Sequence, residues 1–312
     1  MAPTILVIGS VNMDIVARVD RMPGPGENVR GRDLRTIPGG KGANQAVACA
    51  RLGAETHFLA RVGDDGFGAR LRADLKAAGV RTGAVRPVKG CPSGIALILV
   101  DASGQNSIIV TAGANGRLAP ADVEAARPLI RQADVVILQL EVPPETVARA
   151  IRVARRVGTP TVVDAGPPRR PVDRAVFQCT ILTPNEAEAA ALLGLKPGAE
   201  RIERMARRLL ERGPEAVVIK AGAKGAVAAS RGLVRRVPAF KIKPVDTTAA
   251  GDAFTAALAV EYVRGTDLEE ATRVANAAGA LACLKVGAQP SMPTAGALRA
   301  FLRGRCLAFE IA

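Results

Sequence analysis

Short, mostly apolar runs recur along the chain at residues 5–8, 135–140, 160–163, 180–182 and 216–219. A strand with no polar face cannot meet water, so such runs belong in a sheet covered on both sides. Helical patterns fall between them at residues 43–52, 68–78, 120–131, 145–156, 186–193 and 200–212, and from Ala249 onward the chain reads as helix after helix. This alternation predicts a three-layer α/β/α fold around a doubly wound, mostly parallel sheet. Two regions break the rhythm. Residues 14–20 and 31–37 alternate like exposed strands, and residues 93–100 and 106–111 flank the hairpin-like Asp101-Ala-Ser-Gly-Gln105. They predict a small sheet from about residues 12–38 and 92–112, inserted in a single domain spanning 1–312 and placed as a lid over the strand ends, where open α/β sheets bind ligands. No solenoid-type repeat and no Ser- or Pro-rich linker interrupts the chain.

Composition narrows the class of ligand. Aromatic residues make up 3% of the chain, with no Trp and one Tyr, which argues against base stacking and ring platforms and leaves recognition to polar groups. The formal net charge is +14, but the Arg residues are scattered instead of forming a block with interleaved aromatics. The reading is no nucleic-acid partner and a positive field that concentrates a small anion such as a nucleotide. Cys49, Cys91, Cys179, Cys283 and Cys306 are odd in number, lack any C-x-x-C spacing and fall mostly in apolar surroundings, as expected of reduced core thiols in a cytoplasmic protein. The amino-terminal apolar run is too short for a signal peptide or membrane span, so no membrane partner is expected. His57, the only histidine, reads as a buried structural residue and makes a Ser-His-Asp triad or a His-based metal cage improbable.

Three segments could carry chemistry. Val245-Asp-Thr-Thr-Ala-Ala-Gly-Asp252 leaves a strand and enters a helix, so Ala249, Ala250 and Gly251 would bare their N–H groups at a helix start and form an anion hole. Asp252, at the positive end of that dipole, should stay ionised at neutral pH and is the candidate base; the plain alternative is an acidic helix cap. Ile37-Pro-Gly-Gly-Lys-Gly-Ala-Asn-Gln45 fails the P-loop pattern, because Arg35 stands where the first Gly belongs and Gly42 replaces the hydroxyl residue. Its glycines, Gly40 and Gly42 around Lys41, would let the backbone approach a polyol, with Asn44 offering a donor and an acceptor; a tight turn with an Asn cap is equally compatible. In Gly9-Ser-Val-Asn-Met-Asp14, Asn12 and Asp14 face one side of an extended chain and could bracket adjacent hydroxyls, with Glu141 placed similarly at a strand's carboxyl end. Each of these alone is also what a capped turn looks like.

Taken in order, Gly9-Ser-Val-Asn-Met-Asp14, Gly39-Gly-Lys-Gly-Ala-Asn-Gln-Ala46, Thr111-Ala-Gly-Ala-Asn115, Thr183-Pro-Asn-Glu-Ala-Glu188, Asp246-Thr-Thr-Ala-Ala-Gly-Asp252 and Gly287-Ala-Gln-Pro-Ser291 resemble the ribokinase/PfkB family of ATP-dependent sugar kinases over nearly the whole chain. The second and last segments resemble its ribokinase branch in particular. The resemblance implies transfer of the γ-phosphoryl of ATP to O5 of D-ribose, with Asp252 as base, Ala249 to Gly251 steadying the charge, and Asn12, Asp14, Gly40, Lys41, Gly42, Asn44 and Glu141 around the sugar. Gly40 and Lys41 would act through their backbone. Nucleotide contacts would come from Asn185, Lys220, Ala221, Gly222, Ala223, Lys224, Gly225, Gly251 and Asn276, and Glu188 with Asn185 would stand near Mg²⁺ through water. A potassium ion would be held by oxygens of Asp246, Thr248, Ala282, Lys285, Gly287 and Ser291. Thr248, Asn276 and Asp164 depart from the family's usual aliphatic, His and Asn residues. The resemblance also implies a homodimer joined through the lid sheets. Other acceptors within the family, such as deoxyribose, a ketose or a nucleoside, and a non-catalytic sugar-binding regulator are the alternatives.

Overall fold

The computed structural model describes residues 2–168 and 172–309, the last five of these by backbone alone. In chain order the first half runs β1 (Thr4–Ile8), β2 (Asn12–Val19), β3 (Gly31–Gly39), α1 (Lys41–Arg51), β4 (Glu55–Gly63), α2 (Gly66–Ala77), β5 (Val85–Val88), β6 (Gly94–Val100), β7 (Asn106–Thr111), α3 (Pro120–Ala125), α4 (Arg127–Gln132) and β8 (Val135–Gln139). The second half runs α5 (Pro144–Val157), β9 (Thr161–Asp164), β10 (Ile181–Leu182), α6 (Glu186–Leu193), α7 (Ile202–Leu210), β11 (Ala216–Lys220), β12 (Ala226–Ser230), β13 (Leu233–Val237), α8 (Ala250–Val263), α9 (Leu268–Ala282) and α10 (Ala295–Phe309).

Nine strands form one sheet in the order β13-β12-β11-β10-β9-β8-β1-β4-β5, parallel except for the β11-β12-β13 meander at one edge. The apolar runs behave as two-sided strands. Ile5 and Val7 of β1 join Val135, Ile137 and Val162 in a core beneath α1, α8 and α9, whereas Leu6 and Ile8 join Val136, Leu138 and Val163 in a second core beneath α5, α6 and α7. Successive side chains of these strands therefore enter alternate layers. The remaining four strands pair as β3-β2-β6-β7 in a separate sheet whose outer strand β7 is exposed along its whole length.

Several expectations need correction. The pattern at residues 120–131 is two helices, because Pro128 has no N–H for the Glu124 carbonyl and its ring obstructs a continuous turn. β4, β5, β12 and β13 were not foreseen, and the segment before Val245 is loop and not the expected strand; β12 is the Ala-rich Ala-Val-Ala-Ala-Ser, which lacks the β-branched signature of a strand. His57 is half-buried on β4, with Nε2 3.7 Å from Glu55 Oε1. Cys49 and Cys179 are buried thiols but Cys91 and Cys283 are only partly covered, and the side chain of Cys306 lies outside the described residues.

Glycine decides how closely α1 approaches the β1–β2 connection. A Cβ on Gly42 would lie 2.7 Å from both the amide nitrogen and the carbonyl oxygen of Ser10, and neither backbone atom can yield cheaply. Gly42→Ala is therefore expected to destabilise the protein by about 1–3 kcal/mol in urea unfolding. Gly66→Ala, at the open first turn of α2, should stay within about 0.5 kcal/mol of the parent or gain slightly.

Candidate active site

The carboxyl ends of β1, β8, β9 and β11 and the amino-terminal ends of α1 and α8 converge at one edge of the large sheet, with β2 rising out of the same place. α8 begins at Ala249, the one non-glycine residue with positive φ among those described (φ 59°). This left-handed turn is tolerable because the side chain is a single methyl. Among the described residues the N–H groups of Ala249 and Gly251 meet no internal acceptor, while Ala250 makes only a long bond of 3.3 Å to the Thr247 carbonyl. The expected anion hole is thus two free amides and one weakly engaged, at the positive end of a helix of 14 residues.

Asp252 lies in the first turn of α8 and is buried. Its Oδ2 accepts from Asn44 Nδ2 at 2.9 Å, its Oδ1 accepts from Gln45 Nε2 at 3.1 Å, and Lys41 Nζ stands 3.8 Å from Oδ1. Burial outweighs Lys41 and these hydrogen bonds, with Asp164 adding repulsion, and pushes the carboxyl up to about 6. The helix-dipole argument alone omitted that desolvation, so Asp252 is not the low-pKa carboxylate expected, although at neutral pH its ionised form still predominates. Asn44 Oδ1 is buried with no partner, an acceptor available to a hydroxyl beside Asp252. Asn44 does not cap α1; that position is Gly40, in left-handed conformation at φ 88°.

On β2, Asn12 and Asp14 do face one way. A Cβ on Gly39 of the neighbouring strand would fall 2.2 Å from Asp14 Oδ2, so glycine there is what admits the carboxylate. Burial, then the charges of Glu141 and Asp252, raise Asp14 to about 7. Asn12 Oδ1 accepts from Asn115 Nδ2 at 2.7 Å, and Asn115 also clasps the Val11 peptide through its N–H at 2.9 Å and its carbonyl at 3.1 Å. Glu141 accepts from the Ser10 hydroxyl and, at 3.1 Å, from the Lys41 amide. Lys41 therefore spends its N–H on Glu141 and offers its ammonium to the cleft, the reverse of the expected backbone role. Gly40 and Gly42 likewise serve chain-to-chain contact: their missing Cβ atoms would strike the backbone of Ser10, Val11 and Asn12.

Sequence reasoning missed Gln45, Gln139 and Asp164 as members of this site. Gln139 Nε2 donates to Gln45 Oε1 at 2.6 Å, and Gln45 Nε2 is shared between Asp252 and, at 2.9 Å, Asp164 Oδ2. The available signal was position, since Asp164 and Gln139 end strands just as Glu141 follows one. Burial raises the Asp164 carboxyl, but Lys220 and Lys41 together outweigh it and hold it below the usual range.

The residues expected around a nucleotide lie beyond α8. Asn185 caps α6 by accepting from the Glu188 amide at 2.8 Å, and Glu188 Oε2 returns the bond from the Asn185 amide at 2.7 Å. One Glu188 oxygen, Oε1, remains against Gly166 beside Lys41. Among the described residues no group of three or more acidic, His or Cys side chains could hold a metal. Gly222, Ala223 and Lys224 form an exposed turn after β11, between the half-buried Ala221 and the buried Gly225. Asn276 donates to the carbonyls of Val237 and Pro238 at 3.2 and 3.1 Å, which anchors the segment after β13.

Asp246 ties two loops together. Its Oδ1 accepts from the Thr248 amide at 2.9 Å, and its Oδ2 accepts from the Gly287 amide at 2.8 Å. Burial opposes these bonds but they prevail and lower its pKa. The carbonyls of Asp246, Thr248, Lys285 and Gly287 accept no internal hydrogen bond among the described residues, while that of Ala282 takes the Lys285 amide at 3.4 Å and Ser291 Oγ donates to Ala288 at 2.7 Å. An all-oxygen set of this kind fits a weakly hydrated monovalent cation. From the far end of α1, Arg51 donates to the carbonyls of Gln289 at 2.7 Å and Met292 at 3.0 Å, fixing the second loop to the helix that carries Asn44.

Known proteins resemble this chain along nearly its whole length. A ribokinase of Bacillus subtilis is 41% identical over 291 residues, covering 93% of this chain and 96% of the relative. A deoxyribokinase of Salmonella typhi is 36% identical, covering 93% and 95%. The structure of Arabidopsis thaliana ribokinase complexed with ribose and ATP superposes with a TM-score of 0.88 at 34% identity, covering 97% of this chain and 99% of the other. The sequence profile of the pfkB family carbohydrate kinases matches residues 2–295, and with this site at the strand ends the chain belongs to that family.

Proposed function

We propose that the chain is an ATP-dependent ribokinase that phosphorylates D-ribose at O5. The observation that carries this reading is Asp252, a buried carboxylate held by Asn44, Gln45 and Lys41 one residue past two free helix-start amides. The ribokinase of Bacillus subtilis, similar along nearly its entire length, supports ribose as the acceptor. Asn12, Asp14 and Asn44 hold the sugar's ring hydroxyls and turn its primary hydroxyl toward Asp252. As O5 attacks the γ-phosphorus and the bond to the ADP oxygen breaks, Asp252 takes the hydroxyl proton and the Ala249–Gly251 turn receives the negative charge. Glu188 and Asn185 would stand near a magnesium ion, which would supply charge neutralisation on the nucleotide's phosphates. The small sheet serves as the lid that excludes water.

Oxygens of Asp246, Thr248, Ala282, Lys285, Gly287 and Ser291 would hold a potassium ion, whose charge would help to order the turn that leads into α8. Replacing potassium by sodium at equal ionic strength should lower kcat several-fold in a coupled ADP-release assay. The small sheet also leaves Leu34, Ile108, Ile109 and Val110 more than half exposed at 67%, 53%, 63% and 59%, an apolar surface on which a second copy of the chain packs. The buried Cys49 and Cys179 thiols suit the reducing cytoplasm, and no described helix is long and apolar enough to cross a membrane.

Asp252→Asn should keep ribose binding within a few-fold while reducing kcat by about 10²–10⁴; unchanged turnover would remove Asp252 as the base. Because Asp252 titrates at about 6 and Asp14 at about 7, kcat/KM for ribose should climb as pH rises through 6 and 7 and then level. Asp14→Asn should leave only the lower limb and weaken ribose binding. A carboxyl raised by folding favours the folded state when protonated, so its contribution fades between about pH 4 and pH 7. The same Asp14→Asn protein should therefore melt higher than the parent at about pH 8. Initial rates with ribose and 2-deoxyribose decide between acceptors; a preference for the deoxy sugar would displace ribose and leave the phosphotransfer standing.

A further inference from the structure

One buried cation in the cleft has so far been named only as an expected nucleotide contact, with no role in the transfer step. Lys220 ends β11, and its side chain is 12% exposed. Its Nζ lies 2.9 Å from Asp164 Oδ1 and 3.5 Å from Thr255 Oγ1, one turn into α8. Asp164 ends β9, is fully buried, and has its other oxygen engaged by Gln45 with Lys41 Nζ at 3.7 Å. The lysine is thus clamped from two elements and cannot wander as a surface lysine would.

The direction of the clamp is informative. A Cβ built on Gly251 would have Lys220 Nζ at 3.8 Å as its single neighbour within 4 Å. The ammonium therefore stands beside Gly251, whose amide meets no internal acceptor among the described residues at the start of α8. Taking a lysine out of water costs several kcal/mol unless it is paired, and Asp164 supplies that pairing. At a helix terminus shielded from solvent, a fixed positive charge stabilises a developing anion far more than it would in water.

We propose that Lys220 is a further catalytic residue, its ammonium held over Gly251 by Asp164 and Thr255 so that it touches the γ-phosphoryl group as that group passes from nucleotide to sugar. The inference rests on the phosphotransfer reading and adds a side-chain cation to an anion hole made of amides. The hydroxyl proton still goes to Asp252.

The competing role is that of a mere counter-ion for Asp164, and a double substitution separates the two. Lys220→Met alone leaves Asp164 with only the more distant Lys41 as its cation, whereas Asp164→Asn with Lys220→Met removes both members of the close pair. With ribose and ATP saturating, both proteins should turn over about 10²–10³ times more slowly than the parent while ribose affinity by calorimetry changes less than about threefold. Calorimetric titration with ADP and with the non-hydrolysable AMP-PCP gives a second readout that needs no acceptor. The parent's preference for the triphosphate should fall by about tenfold or more in both variants. Recovery of kcat in the double variant to within about tenfold of the parent, or an unaltered triphosphate preference, would overturn the proposal and leave the kinase reading intact. A parent that binds neither nucleotide would overturn the kinase reading itself.

Discussion

Two carboxylates share one buried hydrogen-bond network at the end of the large sheet, and the fold is arranged around making that tolerable. Asp164 and Asp252 are joined through a single amide, Gln45 Nε2, with Lys41 between them and Lys220 on the far side of Asp164. Neither charge could be buried alone, since the desolvation cost would neutralise it or unfold its surroundings. The network exists only where α1, α8, β9 and β11 meet. Their relative placement is therefore a condition for having a base at all.

Most of the architecture was legible from hydrophobic period. Apolar runs such as residues 5–8 have one physical home, between two helical layers, and their side chains divide between two cores. The same reasoning was silent at Ala226–Ser230, where alanine fits helix and strand alike and the assignment comes from pairing with β11. It also overran Pro128, since a helical period continues on paper through a residue that interrupts the hydrogen bonds.

The site was legible residue by residue where backbone chemistry carries the signal and obscure where distant side chains meet. The small-residue turn before Asp252 announces its free amides in the sequence itself. What the sequence does not contain is the environment that lifts Asp252 to about 6 and Asp14 to about 7, because that comes from burial and from charges on separate elements. Gln45 lay beside Asn44 in plain view, but its two acceptors are 119 and 207 positions away. The glycines were singled out for the right property and the wrong neighbour: Gly42 yields room to Ser10, and it is this tight seam that points Asn44 at Asp252.

β1 passes into β2 through only Gly9, Ser10 and Val11, and Asn12 and Asp14 belong to the small sheet itself. In the kinase proposed here, half of the polar grip would thus ride on the lid and half, Asn44 with Asp252, on the large sheet's helices. The ligand's hydroxyls would then be the rivets that join jaw to anvil. A molecule lacking the hydroxyl that Asp14 or Asn12 would grasp would forfeit closure together with that bond, making selectivity and posture a single variable.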